Sequence, residues 1–279
     1  MPELPEVETM RRGIARVVGA RVVAVERPAC KLRPIALSPA RMPQWRKRLV
    51  GRAITGTSRA GKRVVIELDS GDRLIFEPRM TGLVLLADPP DIEHLRLRLE
   101  LVGRGARQLL FWDRRGLGSA RLVTGKEFAE RYGLDKLGPD ALDISAEQLR
   151  ERLRASRRAI KVALLDQRAL AGVGNLYASE ILHLCGIHPA RRCDRLTRGD
   201  WQAIVAAMHD VLATAIHFEG STLSDGTYRN ALNQAGGYQN HHRVYDRADE
   251  PCTRCRKARV VRIVQAQRST FYCPACQKK

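Results

Sequence analysis

The sequence predicts an α+β chain: an N-terminal helix with a β-sandwich, then a helical region, then a zinc-ribbon finger. Three observations predict it. Apolar residues recur mostly at steps of three and four from Leu4 to Val18. His94-Leu95-Arg96-Leu97-Arg98-Leu99-Glu100-Leu101 alternates strictly, the period of a half-buried strand. The chain closes on two Cys-x-x-Cys pairs.

The first helix spans Pro2 to about Val18, with Leu4, Val7, Met10, Ile14, Val17 and Val18 on its apolar side. Pro2 and Pro5 suit a first turn, and Glu3 and Glu6 complement its positive dipole end. Residues 21–125 are expected to be β. Arg63–Asp69, Gln108–Trp112 and Ala120–Val123 join the alternating strand, separated by Gly, Asp and Pro punctuation that includes Gly103-Arg104-Gly105. Closely spaced strands of this kind build a sandwich. Gly138-Pro139-Asp140 is a linker, and Ser145-Ala146-Glu147-Gln148 matches a capping box. Helical periodicity follows near 145–155, 158–167, 175–184 and 198–218, and Glu219–Asn240 is a long loop. The domains expected are 1–137, 138–240 and 241–279.

Lys plus Arg number 49 and Asp plus Glu 30, giving +19 over 279 residues. That excess points to a polyanion, nucleic acid before membrane. Apolar residues make up 44%, which excludes a mostly disordered chain. No apolar run approaches the roughly 20 residues that span a bilayer. The acidic, two-proline start does not resemble a signal peptide.

Seven cysteines, an odd count, argue against a disulfide framework. Cys252, Cys255, Cys273 and Cys276 have the spacing of one structural Zn²⁺ site. Cys30, Cys185 and Cys193 have no such partners and are expected to be small buried hydrophobes. His241–Lys279 holds ten Lys or Arg against three acids. So small a ribbon depends on its metal to fold, and its charge marks a nucleic-acid finger. Gln265–Tyr272 is a tight hairpin with Arg268 near its tip. Gly172-Val173-Gly174-Asn175 precedes a helix, where backbone N–H groups can approach an anion.

Together these segments resemble the bacterial formamidopyrimidine-DNA glycosylases, a family shared with endonuclease VIII. The residues that carry the resemblance are Met1-Pro2-Glu3-Leu4-Pro5-Glu6-Val7-Glu8-Thr9, Ala60-Gly61-Lys62-Arg63, Met80-Thr81-Gly82, Ala159-Ile160-Lys161 through Gly174-Asn175-Leu176-Tyr177, Glu250-Pro251-Cys252 and Gln267-Arg268-Ser269-Thr270-Phe271-Tyr272-Cys273. The resemblance implies a helix-two-turn-helix DNA-binding domain over 138–240, with a lesion-recognition loop at 219–240. It implies a bifunctional base-excision enzyme that removes oxidised purines (8-oxoguanine, formamidopyrimidines) from duplex DNA through an N-terminal proline Schiff base. β- and δ-elimination would then cut the strand. The expected partner is damaged double-stranded DNA, with no membrane association, for a monomeric, cytoplasmic, nucleoid-associated bacterial protein.

The chemistry suits the residues. A Schiff base forms from a neutral amine. An α-amino group is roughly 10% neutral at pH 7, against roughly 0.04% for an ordinary Lys. As a secondary amine, Pro2 yields a cationic iminium, which drives elimination. Met1 must be removed first, since it turns that nitrogen into an amide. By resemblance, Glu3 moves protons at the sugar, Lys62 contacts phosphate and aids elimination, and Arg268 contacts DNA and assists the δ step. Lys161 and Asn175 match further DNA contacts. The target base must be flipped out. Met80 and Arg115, with Arg114 as the alternative to Arg115, match two of the family's three gap-filling residues. Leu117 stands where the family has Phe, so stacking against the opposite base is lost. Thr227–Leu232 departs from the usual lid sequence.

Overall fold

A computed structural model describes residues 2–103, 105–133, 135–223 and 226–278. Met1, whose removal is expected, lies outside them, as do Arg104 of the expected strand punctuation, Leu134, Ser224 and Asp225 of the long loop, and Lys279. The chain falls into two compact units: residues 1–133 with 218–237, and 134–217 with 238–279.

The first unit opens with α1 (Leu4–Gly13) and continues through β1 (Arg21–Glu26), β2 (Ala36–Ser38), α2 (Met42–Leu49), β3 (Ile54–Arg59), β4 (Val64–Leu68), β5 (Arg73–Glu77), β6 (Gly82–Leu85), β7 (Leu95–Val102), β8 (Gln108–Asp113), β9 (Ser119–Val123) and α3 (Gly125–Tyr132). Two sheets form, in the orders β1-β7-β8-β6 and β2-β9-β5-β4-β3. Among the described strands of these sheets, β2 and β9 pair in parallel and the other pairs are antiparallel. Phe76, Phe111, Leu97, Val64, Leu83 and Leu109 of the two sheets share one core, which Val7, Met10 and Ile14 of α1 enter.

The helix expected to reach Val18 stops at Gly13 and gives way to a 3₁₀ turn at Ala15–Val17. Here loop residue Ala231 presses in: a Cβ on Gly13 would lie 2.5 Å from the Ala231 Cβ. The β expectation for 21–125 misses α2, a short helix whose two buried residues, Trp45 and Leu49, are outnumbered by cations. Its apolar stripe is too brief to register as a period. The alternating strand is β7, yet Arg96 on its polar phase is only 2% exposed. Its guanidinium donates to the Asp113 carbonyl, the Arg114 carbonyl and the Cys30 sulfur.

The second unit holds α4 (Ala146–Leu153), α5 (Ile160–Leu164), α6 (Asn175–Leu184) and α7 (Arg198–His217), then the hairpin β10 (Val261–Gln265) and β11 (Arg268–Tyr272). The Ser145–Gln148 capping box forms as expected. Between β10 and β11 stand only Ala266 and Gln267, both at positive φ, the geometry of a two-residue I′ turn. The finger's apolar cluster is small, built on Val244, Val260 and Phe271. It does not separate from the helical region as a compact unit, and β11 packs on α6. The long loop likewise does not belong to the helical region throughout: residues 218–237 pack with the first unit, where Tyr228 and Ala231 enter the sandwich core.

Candidate functional site

In the first unit, α1 presents the chain start. Pro2 and Glu3 are buried immediately ahead of the helix, with Glu3 at its N-cap. Glu6 fixes this geometry. One carboxylate oxygen accepts the Glu3 N–H at 2.8 Å, and the other accepts the Ser221 N–H at 2.9 Å. The same carboxylate therefore holds the first residues and the long loop. Gly220 makes this approach possible, because a Cβ there would stand 2.9 Å from the Glu6 side chain. Tyr228 reinforces the junction by donating to the Glu219 carbonyl at 3.0 Å and, more weakly, to that of Glu6 at 3.4 Å. Sequence reasoning gave Glu6 only a dipole role. Its spacing to Glu3 announced the capping bond, but nothing local announced Ser221.

Lys62 lies in the turn between β3 and β4, half-buried. Arg59 ties that turn to α1: it donates to the Gly61 carbonyl at 2.9 Å and pairs with Glu8 at 3.3 Å. Glu8 also pairs with Arg11 at 2.7 Å and Arg12 at 2.8 Å. Burial acts to raise the Glu8 carboxyl, but Arg11 and Arg12 hold it below the usual range.

Met80 stands in a tight turn ahead of β6, and Arg115 and Leu117 stand in the loop after β8. Met80 and Arg115 are exposed and Leu117 is half-buried, so none is spent on the core.

In the second unit the expected DNA contacts divide. Arg268 is exposed beside the hairpin turn. Asn175 begins α6, and Gln167 braces the preceding turn through the Gly172 N–H and the Val173 carbonyl. Lys161, expected at the DNA, turns inward instead and is 1% exposed. Its ammonium donates to Asn175 Oδ1 at 2.8 Å, the Ser269 carbonyl at 3.0 Å and Thr270 Oγ1 at 2.6 Å. Asn175 Nδ2 donates to the same Ser269 carbonyl at 3.0 Å. A buried ammonium is tolerated because acceptors surround it.

The four finger sulfurs lie within 4.8 Å of one another. Zn–S bonds of about 2.3 Å set tetrahedral sulfurs about 3.8 Å apart. The observed Cys252–Cys276 and Cys255–Cys273 separations are 3.9 and 3.7 Å, so the set fits one structural zinc. His183 Nε2 lies 3.4 Å from Cys252 Sγ, and Glu180, wholly buried, accepts the N–H groups of Arg243, Val244 and Tyr245. These contacts seat the finger on α6. Among the described residues, no helix is long and apolar enough to cross a membrane.

Comparison with known proteins covers the same ground. Residues 1–120 match the formamidopyrimidine-DNA glycosylase N-terminal domain, and 137–227 match the H2TH domain of those enzymes. Residues 249–279 match a zinc finger found in FPG and IleRS. The chain is 41% identical to the formamidopyrimidine-DNA glycosylase of Chloroflexus aggregans, covering 99% of this chain and 98% of that one. It is 39% identical to that of a Roseiflexus species over the whole of both chains. A crystal structure of a Lactococcus lactis Fpg mutant with DNA containing Fapy-dG superposes with a TM-score of 0.85 at 33% identity, covering 100% of each chain. The Lactococcus lactis Fpg with DNA containing an abasic site gives 0.85 at 32%, covering 99% of this chain and 100% of that one.

Proposed function

Since the chain belongs to the formamidopyrimidine-DNA glycosylase family, and is thus a DNA glycosylase of base-excision repair, we propose that it removes oxidised purines from duplex DNA and then cuts the strand as an AP lyase. The observation that carries this reading is the placement of Pro2 and Glu3 together at the start of a buried helix, pinned by Glu6. With Met1 removed, the Pro2 nitrogen is a secondary amine at the positive end of α1. That end disfavours an ammonium and keeps the lone pair available. The nitrogen attacks C1′, the damaged base departs, and Glu3 supplies the proton that opens the sugar ring. The resulting iminium acidifies C2′. Loss of a C2′ proton expels the 3′ phosphate, and a second elimination expels the 5′ phosphate. Lys62 neutralises phosphate during these steps, and Arg268 grips the backbone.

Base removal requires eversion, and Met80, Arg115 and Leu117 fill the gap it leaves. Arg268 and the Asn175 turn bind the backbone, while Lys161 fixes their positions. The metal closes the finger that carries Arg268. The family's binding partner, damaged duplex DNA, fits the +19 charge.

The test is reductive trapping. The protein is incubated with duplexes bearing 8-oxoguanine, a formamidopyrimidine or thymine glycol, and borohydride is added. A covalent adduct strongest on an oxidised purine is expected. Base release without any adduct would overturn the proline mechanism, and strongest trapping on thymine glycol would move the substrate to oxidised pyrimidines.

A further inference from the structure

Asp113 ends β8 with its carboxylate wholly buried, and it is not among the groups assigned to the chemistry above. Oδ1 receives the Thr81 hydroxyl and, at 3.2 Å, the Arg115 N–H. Oδ2 receives the Gly118 N–H at 2.7 Å. The Arg115 N–H also reaches Thr81 Oγ1 at 3.0 Å. Thr81 follows Met80, and Arg115 and Gly118 bracket Leu117. A single carboxylate thus ties the turn bearing one expected gap-filling side chain to the loop bearing the other two.

The surroundings are built to hold this arrangement. Buried Arg96 donates to the Asp113 carbonyl at 2.8 Å. Gly118 is required for the close approach, because a Cβ there would lie 3.0 Å from Asp113 Oδ2 and 2.9 Å from the Glu77 carbonyl. The Met80 turn is closed by the Gly82 N–H on the Pro78 carbonyl at 2.8 Å, and a Cβ on Gly82 would lie 2.6 Å from Pro78. Charge-assisted bonds to two backbone N–H groups and a hydroxyl, shielded from water, hold loop geometry far more firmly than exposed bonds do.

We propose that Asp113, with Thr81, is a positioning pair for base eversion: it makes Met80, Arg115 and Leu117 one rigid wedge, preset to enter the stack together. The proposal rests on the glycosylase reading. It adds that the wedge is preorganised through the protein interior and not assembled by DNA.

The test compares wild type with Asp113→Asn, whose amide turns a donor toward donors, and with the milder Thr81→Val. Two substrates are used: a duplex bearing 8-oxoguanine, and a single-stranded abasic oligonucleotide that has no stack to fill. A third readout needs no chemistry: fluorescence of 2-aminopurine opposite an abasic analogue, which reports wedge entry. Both variants are expected to lose about tenfold or more in kcat/KM on the duplex, since small misplacements are costly. Both should lose the fluorescence response and still cut the single strand, and Thr81→Ser should restore the duplex activity. Unchanged duplex excision in Asp113→Asn, or equal losses on both substrates, would overturn the proposal. A wild-type protein inactive on both substrates yet showing a fluorescence response that Asp113→Asn lacks would sink the glycosylase reading and leave the positioning pair standing.

Discussion

Lys161 and Asn175 share a 2.8 Å hydrogen bond that is fully internal to the second unit. Both are expected at DNA from the resemblance, yet the ammonium faces Asn175, Ser269 and Thr270 and is sealed from solvent. A cation so placed ties the Asn175 turn to the β11 strand that begins with Arg268.

Salt dependence separates the two cations. Each phosphate neutralised contributes about 0.9 to the slope of log K against log salt. Arg268→Ala should lower the slope by about that amount, whereas Lys161→Met should leave it unchanged. Lys161→Met should instead destabilise the protein by about 1–3 kcal/mol, because buried acceptors lose their donor. Binding titrations across salt, with thermal melts, check both; a reduced slope in Lys161→Met would make it a direct phosphate contact.

Pro2→Gly puts a primary amine at the start of the processed chain in place of the ring nitrogen that gives a secondary-amine iminium. The borohydride adduct should fall sharply while duplex affinity stays close to wild type. Gel analysis of trapped complexes beside a binding curve measures this. Undiminished trapping with the adduct mapped away from residue 2 would place the nucleophile elsewhere.

Cys255→Ser removes one of four sulfurs that fit a tetrahedral metal. Zinc content should fall, and duplex binding should weaken with loss of the finger that presents Arg268. Elemental analysis and binding titration report the two. Tight duplex binding by metal-free protein would show that the finger stands without its ion.

Glu8 makes folding stability depend on acid. Its folded pKa lies below the ordinary 4.5, held there by Arg11, Arg12 and Arg59 against its burial. The unfolded chain therefore takes up the proton first. The stabilisation is complete above the ordinary value and is lost as pH falls through the lower folded value. Glu8→Gln should be less stable near neutrality and should show a flatter decline on acidification. Unfolding titrations from about pH 6 to about pH 3 measure this; parallel curves for both proteins would refute the assignment.

What the chain announced by itself is what depends on local pattern. The zinc spacing, the capping box at Ser145 and the long helix at Arg198–His217 each lie within a short stretch. Periodicity and motif spacing report such features because neighbours along the chain create them. What required the tertiary structure is partnership across distance. Glu6 meets Ser221 across 215 positions, Thr81 meets Asp113 across 32, and Lys161 meets Thr270 across 109. In sequence Lys161 is one cation among 49, and Arg96 is one polar phase of an alternating strand. Whether such a side chain faces solvent or a ring of acceptors is decided by which remote segments the folded core brings against it, and no local period encodes that.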